Sequence, residues 1–279
     1  MIAKFIRRSI LFFLVAFVLL SIESLVSYYK RTFENGVNGN EVYVSLHKAR
    51  TKKKVKVLII GDSVGKQLYD NETYNGDIYS LACNQAISLA GQYILLEKFI
   101  ETNKSNLPDQ VIMIITAETF TNNLNQVFTF HYFLKPFYNQ EFKPLLTDAA
   151  LTQIHKVPLY YLSQLPFILN TNWSPAYTVV PDTSYHFISP VSNNYLLKIK
   201  ALCAANHLPF KLICPPIKSS RKQLNLDYAK NSIEIEKTGL KDEFTSYFKN
   251  FTYLPDSLYI DKIHFKKQYI PTDLYHLGR

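Results

Sequence analysis

The hydrophobic positions of this chain fall into short apolar runs that alternate with amphipathic stretches. Two β-branched runs, at residues 56–60 just before Gly61 and at 110–116, predict buried strands. Between them, residues 77–83 predict another strand, and residues 85–103 predict a helix because their apolar positions recur every three or four residues. Strands and helices that alternate at this spacing predict a parallel, doubly wound α/β sheet.

The same alternation returns in the C-terminal part of the chain. Residues 193–207 predict a helix, and residues 210–216 predict a strand that two prolines end. A helical stretch over 224–249 and the segment 257–270 are expected to complete the core. A single α/β domain over residues 55–279 follows from this pattern.

Residues 118–190 interrupt the alternation, and we interpret them as a partly helical insertion or cap. The segment is rich in Phe, Tyr and Pro. Its aromatic side chains have two interpretations: a wall that binds a glycan or acyl group, or a subsidiary core with ordinary packing. These residues are Phe128, Phe130, Tyr132, Phe133, Phe137, Tyr138, Tyr160, Tyr161, Trp173 and Tyr177.

The N-terminal segment carries an uncharged apolar run from Ile10 to Ile22, after Lys4, Arg7 and Arg8. Its length lies between that of a signal-peptide core and that of a full membrane span, and no Ala-x-Ala cleavage site follows it. We predict an uncleaved signal-anchor over residues 1–29 rather than a buried helix, because all of its faces are apolar. A polar linker is expected over residues 30–54.

The orientation of this anchor follows from the basic residues that flank it. Those before the apolar run favour a cytoplasmic N-terminus, although the run KARTKKKVK at 48–56 acts in the opposite direction. We therefore expect the main domain outside the cytoplasm, in the cell envelope.

The net charge of +9 does not indicate a nucleic-acid partner. The first 56 residues hold eleven Lys and Arg against three Glu, so the excess lies beside the apolar segment and the rest of the chain is nearly neutral. A basic segment in that place is typical of contact with a membrane surface. The three cysteines have no metal-ligand spacing. We expect buried free thiols, with a Cys203–Cys214 disulfide as the alternative.

The stretch VLIIGDSVGKQLYD, at residues 57–70, has two interpretations. Gly61, Gly65 and Lys66 suggest a phosphate-binding loop, but that loop needs four residues between its glycines and a hydroxyl after its lysine. Here only three residues separate the glycines, and Gln67 follows the lysine. We reject the phosphate loop, and we expect neither a cofactor nor a metal.

The second interpretation is a nucleophilic serine. Ser63 follows a predicted strand end, where an open α/β sheet places its ligand crevice. A serine needs a base and a group that orients the base, and YIDKIHF supplies Asp261 and His264, three residues apart. The alternative is a structural role, in which Ser63 only caps the following helix.

Together, IIGDS after an early strand and Asp-x-x-His near the C-terminus resemble the SGNH (GDSL-type) hydrolase superfamily. The resemblance covers residues 55–116 and 193–270. It implies a flavodoxin-like, three-layer sheet and ester chemistry at Ser63, His264 and Asp261, with Gly61 and Asp62 as motif support. The membrane-anchored layout is similar to extracytoplasmic members that add or remove O-acyl groups on surface polysaccharides.

The blocks that supply oxyanion donors in that family differ here. The second reads LACNQAIS, so Asn84 or the backbone of Gln85 would have to donate. The third reads IITAETFTNN, with Glu118 near the expected donor and Asn122 beyond it. A carboxylate cannot donate a hydrogen bond unless it is protonated, so Asn122 is the candidate there.

The sequence thus predicts a membrane-anchored serine esterase or O-acyltransferase whose substrate is an acylated carbohydrate or another ester. The alternative is a non-catalytic protein of the same fold that binds a surface glycan or an assembly partner, which the irregular third block favours.

Overall fold

The computed structural model describes residues 2–30, 37–69, 77–179, 182–249 and 251–266. Its centre is a four-stranded, fully parallel sheet with the order β2-β1-β3-β4. The strands are β1 (Val57–Gly61), β2 (Ile78–Ser80), β3 (Gln110–Ile114) and β4 (Phe210–Ile213). The predicted parallel α/β sheet is confirmed, with strands up to four residues shorter than the apolar runs that predicted them.

Helices and short turns connect these strands. A pair of two-residue strands, β5 (Ile217–Lys218) and β6 (Tyr253–Leu254), forms a second, parallel sheet. The described α-helices are α1 (Ile2–Lys30), α2 (Asn40–Ala49), α3 (Ser63–Leu68), α4 (Ser88–Thr102), α5 (Lys135–Phe137), α6 (Asp148–Lys156), α7 (Pro166–Leu169), α8 (Pro190–Ala205), α9 (Lys222–Ala229), α10 (Ser232–Lys237) and α11 (Lys241–Lys249).

Alternate side chains of the central strands pack on opposite faces of the sheet. Leu58 and Ile60 belong to the larger apolar cluster, which also contains side chains of α2, α4 and α8. Val57 and Ile59 belong to a smaller cluster with side chains of α3. Because a strand directs successive side chains to opposite faces, a strand buried on both faces must be apolar throughout, as β1 is.

Part of the predicted linker belongs to the folded body. Residues 40–49 form α2, and Val42, Leu46 and Ala49 are at most 5% exposed in the larger cluster. Their spacing of four and three residues is that of one helix face. The many polar residues around this narrow stripe conceal it in the sequence. Residues 31–36 of the linker lie outside the described residues.

The segment between β3 and α8 contains short helices rather than strand–helix units. Seven of its ten aromatic residues named above are buried or half-buried, and Phe128, Tyr161 and Trp173 are exposed. Its turns include a π-helical turn at Phe130–Leu134 and a 3₁₀ turn at Tyr160–Gln164. Most of this aromatic surface is therefore a subsidiary core.

The C-terminal part differs from its prediction in detail. The helical stretch expected over 224–249 is three separate helices, α9, α10 and α11. The segment expected to close the core forms a narrow hairpin in which Tyr259 bridges Phe265 in antiparallel fashion. Residues 267–270 of that segment lie outside the described residues.

Two further predictions concern the N-terminal helix and the cysteines. Within α1, residues Ile2–Ile22 have a mean hydropathy of 2.2, and none of that window is buried. By length and composition this helix can cross a membrane. All three cysteines are buried and none is in a disulfide, so the alternative Cys203–Cys214 bridge is not formed.

Candidate active site

Ser63 is the first residue of α3, at the carboxyl end of β1. The preceding residue, Asp62, is the helix cap: its Oδ1 accepts the N–H of Val64 at 3.0 Å and that of Gly65 at 3.4 Å. The capping function that the sequence offered to Ser63 is thus performed by Asp62, and the hydroxyl of Ser63 is left for other contacts.

Asp62 also joins β1 to the segment that follows β3. Its Oδ2 accepts the backbone N–H and the hydroxyl of Thr116, both at 2.7 Å, and the hydroxyl of Thr119 at 3.0 Å. Asp62 is only 1% exposed. Five donors therefore hold this buried carboxylate, and the turn that presents Ser63 is fixed on both sides.

Gly61 is required where β1 meets β3. Its φ of +146° is one that side-chain-bearing residues rarely adopt, and a Cβ at this position would lie 1.8 Å from the carbonyl oxygen of Ile114. The buried side chain of Gln92 on α4 accepts the N–H of Gly61 at 3.0 Å and donates to its carbonyl oxygen. The strand end before Ser63 is therefore held by both a strand and a helix.

The histidine and its carboxylate lie in the C-terminal hairpin. Oδ1 of Asp261 accepts the backbone N–H groups of Ile263 and His264, each at 2.8 Å. Its Oδ2 lies 2.8 Å from Nδ1 of His264. One carboxylate therefore closes the turn and orients the imidazole.

The ionisation of Asp261 follows from these contacts. Desolvation acts to raise its pKa, but the N–H donors of His264 and Ile263 and the imidazole outweigh it, so the pKa of Asp261 lies below its ordinary value. The group is therefore a carboxylate at neutral pH, the form that accepts a hydrogen bond from Nδ1–H.

Ser63 and His264 meet although 201 residues separate them in the chain. Nε2 of His264 lies 2.7 Å from Oγ of Ser63. The chain of contacts Ser63–His264–Asp261 has the geometry in which a neutral imidazole removes a hydroxyl proton while a carboxylate stabilises the imidazolium.

Gln67 holds the two halves of this site together. Its Nε2 donates to the carbonyl oxygen of Phe265 at 2.7 Å, and its Oε1 accepts the N–H of Phe265 at 2.8 Å. Gln67 lies one helical turn after Ser63, and Phe265 is the residue after His264. The sequence alone assigns no role in the site to Gln67. The signal that identifies it is its position four residues after Ser63, which places both side chains on one face.

Two aromatic residues fix the hairpin to the sheet. The ring of Phe265 is 1% exposed within the smaller cluster and lies 4.6 Å, centroid to centroid, from that of Tyr259. The hydroxyl of Tyr259 donates to the carbonyl oxygen of Pro216, just beyond β4, at 3.0 Å. The hairpin is thereby held against both α3 and the end of β4.

The three predicted oxyanion residues lie close to one another, but they differ in which of their hydrogen-bonding groups are already paired. Oδ1 of Asn84 accepts the N–H of Ala86, and Gln85 begins a 3₁₀ turn. Asn122 is 1% exposed, donates to the carbonyl oxygen of Gln85 at 2.9 Å and accepts the N–H of Leu124. These contacts, rather than a contact with Ser63, hold Asn122.

Glu118 forms an ion pair with Arg221. This pair lines a cleft between the ends of β3 and β4. Ile263, the residue before His264, also lines the cleft. So does Thr116, whose N–H donates to Asp62. The cleft is therefore adjacent to the serine and histidine.

Cys214 lines the same cleft but is no rival nucleophile. Burial raises the pKa of its thiol to about 12. Since the thiolate is the reactive form, this group is inert at neutral pH.

No known protein family matches this chain, and no curated protein or solved structure is significantly similar to it.

Proposed function

We propose that this protein is a serine esterase or O-acyltransferase of the SGNH type. The observation that carries the proposal is the contact of 2.7 Å between Oγ of Ser63 and Nε2 of His264, with Asp261 on the other ring nitrogen. A surface histidine without a catalytic role does not require a hydrogen-bond partner on each of its two ring nitrogens. The meeting of residues from opposite ends of the chain at one sheet edge favours a catalytic arrangement over chance.

The reaction follows from the positions of these atoms. Oγ of Ser63 attacks the acyl carbon as its proton passes to Nε2 of His264. The tetrahedral intermediate collapses when the imidazolium returns that proton to the departing alkoxide, which leaves an acyl-serine and a free alcohol. Water or a sugar hydroxyl then repeats the sequence from the other side, with Ser63 as the leaving group.

The oxyanion of the intermediate needs hydrogen-bond donors. Within the described residues the N–H of Ser63 has no acceptor, since Asp62 takes those of Val64 and Gly65 instead. We assign the oxyanion to this N–H and to the Asn84–Gln85 turn. The cap bond made by Oδ1 of Asn84 leaves its amide NH₂ free to donate.

The strand order and the helix layers support the family assignment. The order β2-β1-β3-β4 is that of flavodoxin-like sheets, and the site lies at the carboxyl ends of their strands. Residues 118–190 would then be an insertion in the SGNH fold. With α1 as an uncleaved anchor and the body outside the cytoplasm, an O-acylated surface polysaccharide is the proposed substrate.

Ester turnover tests this function. The full-length protein in detergent should hydrolyse p-nitrophenyl acetate, and Ser63→Ala should reduce the rate to that of buffer. Ser184→Ala is the matched control. Ser184 is exposed, and its hydroxyl donates to Oδ1 of Asp182 at 2.6 Å. Equal turnover by wild type and Ser63→Ala would refute the proposal.

A second candidate is a non-catalytic protein of this fold that binds a surface glycan or an assembly partner. The ion pair of Glu118 with Arg221 favours it, because an acceptor occupies the region where a third oxyanion donor is expected. This alternative predicts glycan binding that Ser63→Ala leaves unchanged, without ester turnover by the wild type.

A further inference from the structure

The exposed aromatic side chains of the body come from one segment. Among the residues from 37 onward whose exposure the structure describes, the exposed aromatics are Phe128, Tyr161 and Trp173, with exposed fractions of 56%, 58% and 40%. Val127 and Leu159 beside them are also exposed. We refer to these five residues as the aromatic patch. Contiguous apolar surface left in water is a feature of interaction sites.

The members of the patch lie on adjoining elements. The ring of Trp173 packs edge-on against Phe130, 5.6 Å between centroids. Phe130 begins the π-helical turn, two residues after Phe128. Gln164 ends the 3₁₀ turn that contains Tyr161, and its Nε2 donates to the carbonyl oxygen of Leu134 in the π-helical turn at 2.7 Å. The patch is therefore carried by one packed unit.

Two observations place this unit beside α1. First, α1 lies against α7, the short helix between Tyr161 and Trp173 in the chain. Second, the chain enters the body next to the patch, since the N–H of Asn38 donates to Oδ1 of Asn172 at 2.7 Å. Seven residue steps separate Lys30, the end of α1, from Val37, and they span at most about 25 Å.

The apolar surface of α1 is itself uncovered. None of its window Ile2–Ile22 is buried by the body, so this apolar window is available to lipid. A surface adjacent to such a helix meets the headgroup region of the bilayer, where Trp and Tyr are enriched because their rings join an apolar body to a polar edge.

We propose that the aromatic patch rests on the surface of the bilayer that α1 spans. The patch then fixes the orientation of the body above the membrane instead of leaving it on a free tether. This inference rests on the membrane anchoring given under the proposed function, but it does not depend on the chemistry at Ser63.

Trp173 provides the test because it is the single tryptophan of the chain. The full-length protein is placed in phosphatidylcholine–phosphatidylglycerol vesicles in which part of the lipid carries a nitroxide near the headgroup. We expect the emission of Trp173 to fall about twofold or more relative to vesicles without nitroxide, and aqueous acrylamide to quench it less than in detergent.

The matched control moves the fluorophore. In Trp173→Phe combined with Leu224→Trp, the new tryptophan replaces a side chain of nearly equal exposure, 39% against 40%, on α9. We expect its emission to be insensitive to the nitroxide and open to acrylamide. Equal nitroxide quenching at both positions would indicate nonspecific adsorption and would overturn the proposal.

Vesicle flotation separates the two ways of failing. A chain that floats with the vesicles while Trp173 stays insensitive to the nitroxide overturns the patch alone. A chain that does not float overturns the anchor and the patch together, and leaves ester turnover in detergent as an independent question. Protection of Trp173 by an added protein, without lipid quenching, would indicate a protein partner instead and would also refute the proposal.

Discussion

The two halves of the candidate site are held in opposite ways. Ser63 stands on a turn whose buried aspartate, Asp62, is 1% exposed and accepts five hydrogen bonds. His264 stands on a hairpin whose aspartate, Asp261, has a side chain that is 52% exposed. Both turns use a carboxylate that accepts backbone N–H groups, but only the first is enclosed by the sheet.

This difference shows where the precision of the site originates. A buried, fully bonded carboxylate keeps its turn in place without help, whereas an exposed hairpin is free to move unless distant contacts restrain it. Gln67, Phe265 and Tyr259 supply those contacts. We therefore expect the histidine half to be the more easily disturbed, with loss of rate before loss of stability.

Apart from removal of Ser63 or His264 itself, the largest effect is expected when the orienting carboxylate is removed from the histidine half. Asp261→Asn keeps the shape of the turn but favours the wrong tautomer of His264. The rate of ester turnover should fall by about 10⁴-fold. Turnover within tenfold of wild type would show that Asp261 only closes the turn.

The next effect concerns the contact between the halves. Gln67→Met keeps the length of the side chain and removes both bonds to Phe265, so His264 should sit less accurately against Ser63. A displacement of this kind reduces turnover by about 10²-fold. Because the His264–Asp261 contact remains, the midpoint of the pH–rate profile should not move, and the melting temperature should change little.

Gln223→Met is the control for that variant. The amide of Gln223 bonds Asp227 at 2.8 Å on an exposed face of α9, so its loss should leave turnover unchanged. If Gln67→Met instead lowered the melting temperature and left the rate per folded molecule intact, Gln67 would be a structural residue without a positioning role.

The serine half is expected to respond in stability rather than in rate. Gly61→Ala forces a Cβ against the carbonyl of Ile114, so the free energy of unfolding should fall by about 2 kcal/mol or more. Gly239→Ala shares a positive φ, of +72°, but meets only a side-chain carbon at 3.7 Å. Gly239→Ala should lower the free energy of unfolding by about 1–2 kcal/mol. Urea unfolding of both variants makes the comparison, and equal losses would contradict the close approach.

The smallest effect is the pH dependence of the hairpin. The pKa of Asp261 is lower in the folded chain than its ordinary value of 3.8, so the unfolded chain binds the proton more tightly. The stability that this carboxylate contributes is complete above pH 3.8 or so and is lost as the pH falls through the folded pKa. The difference in unfolding free energy between wild type and Asp261→Asn should therefore be constant at neutral pH and shrink in acid. A difference that grows in acid would mean that folding raises the pKa of Asp261 instead of lowering it.

The sequence predicted the elements whose signal is local and repeated. The apolar runs of β1 and β3 are buried on both faces, and the four-and-three spacing in α4 identifies a helix. The pairing of Ser63 with His264 was also predicted, because two sparse motifs and the parallel sheet constrain where they meet.

The remaining features depend on tertiary contacts that leave little trace in the sequence. The stripe of α2 is only three apolar residues wide and lies in a polar stretch. The role of Gln67 depends on its bonds to the backbone of Phe265, which is 198 residues away in the chain. The division of aromatic residues between core and surface follows from how the short turns after β3 pack, which no periodicity encodes.

Activation of Ser63 by His264 can be detected by locating a covalent adduct on the chain. The full-length protein is treated with a fluorophosphonate, and the modified peptide is identified by mass spectrometry in wild type and in His264→Ala. We expect a phosphonyl group on Ser63 in the wild type and none in His264→Ala over the same time. An adduct on another residue, or modification of His264→Ala at the wild-type rate, would show that His264 does not activate Ser63.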